Sequence, residues 1–137
     1  MAAQQHAWAD IIMYEGQMMH VTFSSSAPTQ EQFQTEFLDT LQQVLDSSAP
    51  FTLIVDSTQL GTVPLSIAFE IVRFMKLNQP KFRAFCKASA IVVSNAFIQS
   101  LLDMVFTLSP PVSPNVVVQA VDEAFAFVQP YHQALIS

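Results

Sequence analysis

The sequence predicts an α/β fold in a single domain, residues 1–137: a mixed five-strand sheet, opened by an N-terminal hairpin and then largely parallel, with four helices in the order ββαβαβαβα. Three observations predict it. The run Phe51-Thr-Leu-Ile-Val-Asp56, β-branched, preceded by a proline and closed by an acid, reads as a fully buried central strand. Two more short β-branched runs, Ala90-Ile-Val-Val and Val116-Val-Val118, alternate with long helical stretches, the rhythm of right-handed crossovers between parallel strands. Upstream of all these, two β-favouring arms flank Gly16, which is the pattern of a hairpin.

Taken in order, residues 7–15 and 17–24 form that hairpin, with Trp8, Ile11, Ile12 and Tyr14 in the first arm. In the second, Met19, Val21 and Phe23 alternate with His20, Thr22 and Ser24, so His20 faces away from the side that Met19 buries. A helix-covered or surface strand position explains His20 without a ligand role, since no second metal ligand stands at a recognisable spacing. His6 and His132, near the termini, receive no role. Thr29 and Gln32 make a capping box that starts the first helix near Gln30. Its apolar stripe is Phe33, Phe37, Leu38, Leu41, Val44 and Leu45, with Gln34, Glu36, Asp39, Gln42 and Asp46 left to water.

After the central strand, Asp56, Ser57 and Thr58 open the loop at its carboxyl end, where open α/β sheets usually carry their binding sites. Pro64 suits the first turn of a second helix running to about Leu77, which is apolar nearly all round, and Glu70 can pair with Arg73. Asn78-Gln79-Pro80 is expected to stop it and Lys81-Phe82-Arg83 to lead across to a strand over residues 88–94. Ser94 or Asn95 caps a third helix from Ala96, equally rich in apolar residues. The Ser109-Pro110-Pro111-Val112-Ser113-Pro114 connector reads as a helix stop, with a proline-motif ligand as the rival reading. A last strand covers residues 115–119, Asp122 and Glu123 favour a helix start, and the terminal helix is expected to bend or break around Pro130.

Composition bounds the function. Hydrophobic residues make up 51% and charged residues 12%, against about 25% charged in a typical domain, so much of the surface must be uncharged. A net charge of −6 with only five Lys and Arg excludes the basic footprint that nucleic acid requires. Apolar runs fall short of a bilayer span and the first residues lack a secretion-signal pattern, so the expectation is a soluble, cytoplasmic protein. One cysteine, Cys86, allows neither an internal disulfide nor a cysteine-based metal cluster, and it reads as a small buried hydrophobe. No glycine-rich phosphate loop, metal-ligand set or nucleophile–histidine arrangement is recognisable, so no enzyme activity and no cofactor is expected.

Laid out in this order, the chain resembles a STAS domain over about its whole length. The residues that carry the resemblance are Phe51-Thr-Leu-Ile-Val-Asp56 before a loop and helix, Ala90-Ile-Val-Val-Ser94 before another, and Val117-Val118 followed by Val121-Asp122-Glu123-Ala124-Phe125. That family includes anti-sigma-factor antagonists and cytoplasmic domains of anion transporters. In its antagonist members a serine or threonine at the start of the second helix, usually after Asp, accepts phosphate. The matching Gly61-Thr62-Val63-Pro64-Leu65-Ser66 lacks the Asp-Ser pair, and the resemblance leaves Thr62 and Ser66 as candidate phosphoacceptors, with turn formation and capping as their ordinary roles. The segment from Ser94 to Val118 is also similar to the end of CRAL-TRIO lipid-exchange domains, which are longer and hold lipid in an apolar pocket.

Two functional expectations follow. A sheet can cover one side of a helix, and the second and third helices carry apolar residues on more than one side, so Phe69, Phe74, Leu101, Met104 and Phe106 are expected to form an interaction surface. The first expectation is a non-enzymatic regulatory module that forms a homodimer or binds a protein partner through that surface. The second is a small carrier of a lipid or other apolar ligand, with the same helices lining a pocket or touching a membrane surface.

Overall fold

The computed structural model describes residues 8–137. The elements are β1 (Ala9–Tyr14), β2 (Met18–Phe23), α1 (residues 30–46), β3 (Phe51–Asp56), α2 (Leu65–Leu77), α3 (Gln79–Phe85), β4 (Cys86–Val92), α4 (Ala96–Leu108), β5 (Asn115–Val118) and α5 (Val121–Ile136). His6 and Ala7, the latter assigned to the first hairpin arm, lie outside the described residues. The expected class stands, with β3 in the middle of a five-stranded sheet ordered β1-β2-β3-β4-β5. β1 pairs antiparallel with β2, and every later pair is parallel.

Each parallel step moves one place across the sheet in the same direction, so right-handed crossovers put α1, α2 and α4 on one face. The packing agrees. Met19, Val21 and Phe23 of β2 and Leu53 of β3 meet Phe33, Phe37, Leu41 and Leu45 of α1 with Ile67 of α2 and Ile98 of α4. Among the described residues, α5 alone covers the opposite face, laying Ala124 and Val128 on Ile54, Ala88, Ala90 and Val92. Alanine on alanine lets α5 sit close to the sheet. The other layer carries large side chains and stands further off, so α2 and α4 approach each other more closely than either approaches a strand.

Two expectations are corrected. The sequence predicts a helix stop and connector at Asn78-Gln79-Pro80 and beyond, but there the chain turns directly into α3, giving five helices among the described residues rather than four. Pro80 lies in the first turn of α3, where a missing N–H costs nothing, so the residue taken as a stop also serves as a start. Second, the interruption that was one of the two alternatives around Pro130 does not occur: α5 runs through Pro130 as one helix. Pro64 stands one place before its expected position, at the N-cap of α2.

Local chemistry explains the other boundaries. The Thr29 capping box forms, its hydroxyl accepting from Gln32 N–H at 3.0 Å and its own N–H donating to Gln32 Oε1 at 3.1 Å. The hairpin turn places Glu15 and Gly16 at positive φ, which glycine tolerates without strain. A bulge between Phe51 and Thr52 leaves Lys87 as an extra residue on β4, so that Cys86 faces the helical layer although Ala88 faces α5. In the middle of α1, Phe33–Leu38 is π-helical, the Asp39 N–H reaching back to Gln34 O. The wider turn brings Phe33, Phe37 and Leu38 together onto the buried side.

Candidate functional site

The carboxyl end of β3, where a polar site was expected, is tied up by its own backbone. Asp56 Oδ1 accepts from the Thr58 N–H at 2.9 Å and from its hydroxyl at 2.7 Å. Ser57, buried, donates its hydroxyl to Val92 O at 2.7 Å. Ser94 Oγ donates to Thr58 O at 3.0 Å and Asn95 Nδ2 to Leu60 O at 2.8 Å, while Asn95 Oδ1 caps α4 by accepting from Ile98 N–H. Asp56, Ser57 and Thr58 therefore hold a turn, as Asx and hydroxyl turns do elsewhere. Thr62 and Ser66 are exposed, Ser66 in the first turn of α2, and neither hydroxyl caps that helix. Among the described residues, no three His, Cys, Asp or Glu side chains are grouped as a metal would need.

The apolar surplus sits where α2 meets α4. Ala68 and Val72 pack on Val105, with Met75, Leu101 and Met104 around them. Beside this seam, Leu65 is 57% exposed, Phe69 51%, Phe97 45% and Leu108 43%. On α4, Phe97, Leu101, Met104 and Leu108 recur at helical spacing on one stripe, and on α2 Leu65 and Phe69 lie one turn apart beside Val72. Of the five residues expected at the surface, Phe69 is exposed, Leu101, Met104 and Phe106 are half-buried around the seam, and Phe74 is half-buried against the main core. Leu65, Phe97 and Leu108 complete the patch. Their helical spacing from Phe69 and Leu101 was the signal that could have found them.

Behind the seam, between the helical layer and the sheet, lies a cavity of about 190 Å³. Phe74, Leu101 and Phe106 belong to its wall. Trp8, Phe23, Phe33 and Phe37 close one end as an aromatic cluster, with Trp8 stacked on Phe23 at a ring separation of 4.5 Å and Phe23 edge-on to Phe37 at 5.2 Å. At the other end are Cys86, Ser89 and Asn115, under the connector of residues 109–113. That connector, read as a helix stop, also roofs this space, and its Ser109 is buried.

Two histidines occupy the opposite side of the sheet. His20 lies beneath α5, edge-on to Phe125 at 5.3 Å, and neither ring nitrogen has a hydrogen-bond partner among the described residues. Burial holds its pKa below the ordinary 6.5, against the opposing charges of Asp56 and Asp10. His132, given no role from sequence, is buried and its Nε2–H donates to Glu15 Oε1 at 2.7 Å, joining α5 to the hairpin turn. Ala124, Val128 and His132 share one stripe, visible only once α5 is known to run past Pro130.

No model of a known protein family matches the chain, and no curated protein matches it. Among the described residues, no helix is long and apolar enough to cross a membrane.

Proposed function

We propose that the chain is a non-enzymatic, STAS-type interaction module of the cytoplasm that forms a homodimer through the α2–α4 seam. The observation that carries this reading is the apolar patch itself: Leu65, Phe69, Phe97 and Leu108 stand at 43–57% exposure around a half-buried Leu101 and Met104. Burial is worth about 25 cal/mol per Å² of apolar surface, and a second copy is the commonest cover for such a patch. The strand and helix order that prompted the STAS resemblance supports the family reading. A phosphate on Ser66, in the turn before Phe69, adds about two negative charges beside the patch and opposes association.

Phe69→Glu tests it, because Phe69 is exposed and its replacement leaves the core intact. The variant is expected to elute as a monomer, by light scattering, at concentrations where the unmodified chain has twice the monomer mass. Ile12→Glu, on the opposite side of the sheet and also exposed, is expected to leave the mass unchanged. A Phe69→Glu protein that keeps the doubled mass rules out this surface. Phe106→Glu is a poorer probe, since Phe106 lines the cavity.

A further inference from the structure

The cavity has a structural cause. On β4 the residues facing the helical layer at its amino end are Cys86 and Ser89, both small. α4 has already ended at Leu108 before reaching them, so the space above is covered by the 109–113 connector rather than by long helical side chains. An apolar void of this kind leaves its lining without dispersion partners, and a fitting guest restores them.

We propose that this cavity binds a small uncharged molecule, mainly apolar, with one hydrogen-bonding end. Size sets the upper bound, since an apolar cavity of about 150 Å³ holds benzene and this one is about 190 Å³. Charge sets the class. Among the described residues, no Asp, Glu, Lys, Arg or His lines the cavity, so a carboxylate or ammonium entering it loses its water and finds no counter-charge there. The Cys86 thiol is pushed up to about 11 by burial and stays neutral.

The polar end of the guest is assigned to Ser89 and Asn115. Asn115 Nδ2 donates to Ser89 Oγ at 3.0 Å, which leaves the serine its own proton and a lone pair for a guest hydroxyl or carbonyl. The apolar end points to Phe33 and Phe37, which reach the cavity from the π-helical stretch of α1, a geometry that is rare and concentrated at functional sites. Entry is at the connector, because Pro110 and Pro111 are the exposed members of the lining. The cavity lies behind the dimer patch and shares Leu101 with it, and its proposed guest contacts none of Leu65, Phe69, Phe97 and Leu108.

The test is a titration of the full chain with 1-octanol, of about nine non-hydrogen atoms, followed by methyl NMR, with octanoate as the charged comparison. Saturable one-to-one shifts at the Ile71, Ile91 and Leu102 methyls are expected for octanol, with octanoate at least about ten-fold weaker. Val105→Phe fills the cavity from the roof and Ser89→Leu from the floor. Each is expected to weaken octanol binding by about ten-fold or more while unfolding stays cooperative. The proposal is overturned by an absence of saturable shifts, by equal octanoate binding, by undiminished binding in a folded filled variant, or by shifts confined to Leu65 and its exposed neighbours. If neither variant folds, the octanol and octanoate comparison on the unmodified chain decides. The mass of the protein is measured separately, so loss of this site and loss of the dimer are distinguishable.

Discussion

His20 sits under Phe125 with no partner for either ring nitrogen among the described residues, and its neutral form is the one the fold prefers because burial lowers its pKa. The sign of the consequence follows. Below the ordinary value of 6.5 the unfolded chain takes up a proton that the folded chain resists, so the unfolded state binds more protons there and stability rises with pH. The contribution is full above that value and is lost as pH falls towards the folded pKa. Urea midpoints are therefore expected to drop between about pH 7.5 and about pH 5.5, and to drop less in His20→Phe; parallel slopes for the two proteins rule the explanation out. At the start of α4, Asn95 both caps the helix and pins Leu60 O. Asn95→Ala is expected to cost about 1–2 kcal/mol by denaturant titration, the upper part of the range for a lost cap. His20's outward face was legible from strand alternation. His132 was not, because a proline inside a helix normally costs about 3 kcal/mol and reads as an end.

At the scale of elements, the corner where α2 passes into α3 is held by Asn78. Its Nδ2 donates to Gln42 Oε1 at 3.0 Å and to Phe74 O at 3.0 Å, and Gln42 Nε2 donates back to Asn78 Oδ1 at 2.9 Å. Asn78 is buried, so Asn78→Leu leaves Gln42 Oε1 without its partner and takes one of two hydrogen bonds from the Phe74 carbonyl, which keeps the backbone N–H of residue 78. A loss of about 1–3 kcal/mol is expected in chemical denaturation, and a change within about 0.5 kcal/mol contradicts the role given to this corner. From the sequence the same asparagine marks a turn, which is correct locally; that the chain resumes as a helix at Gln79 depends on α1 standing alongside to accept the bond. The π-helical turn in α1 was hidden for a related reason. Phe33, Phe37 and Leu41 at four-residue steps fit an α-helical stripe, and the wider turn is fixed by packing on Trp8 and Phe23.

For the whole molecule, the two faces of the sheet are built differently, and function is proposed on the looser one. Strand order and direction were readable because short buried β-branched runs alternate with helices and leave few right-handed arrangements. The apolar excess of α2 and α4 was readable too, but its division between an outer patch and an inner cavity wall was not, since that depends on where α4 ends above β4. If a second copy covers the patch, folding and association are linked, and the thermal midpoint is expected to rise with protein concentration in the unmodified chain and to stay flat in Phe69→Glu. Sedimentation equilibrium of the unmodified chain, from about one to about a hundred micromolar, asks the question most directly. A species of twice the monomer mass is the expected result; a single monomer throughout that range contradicts the proposed role of the α2–α4 seam.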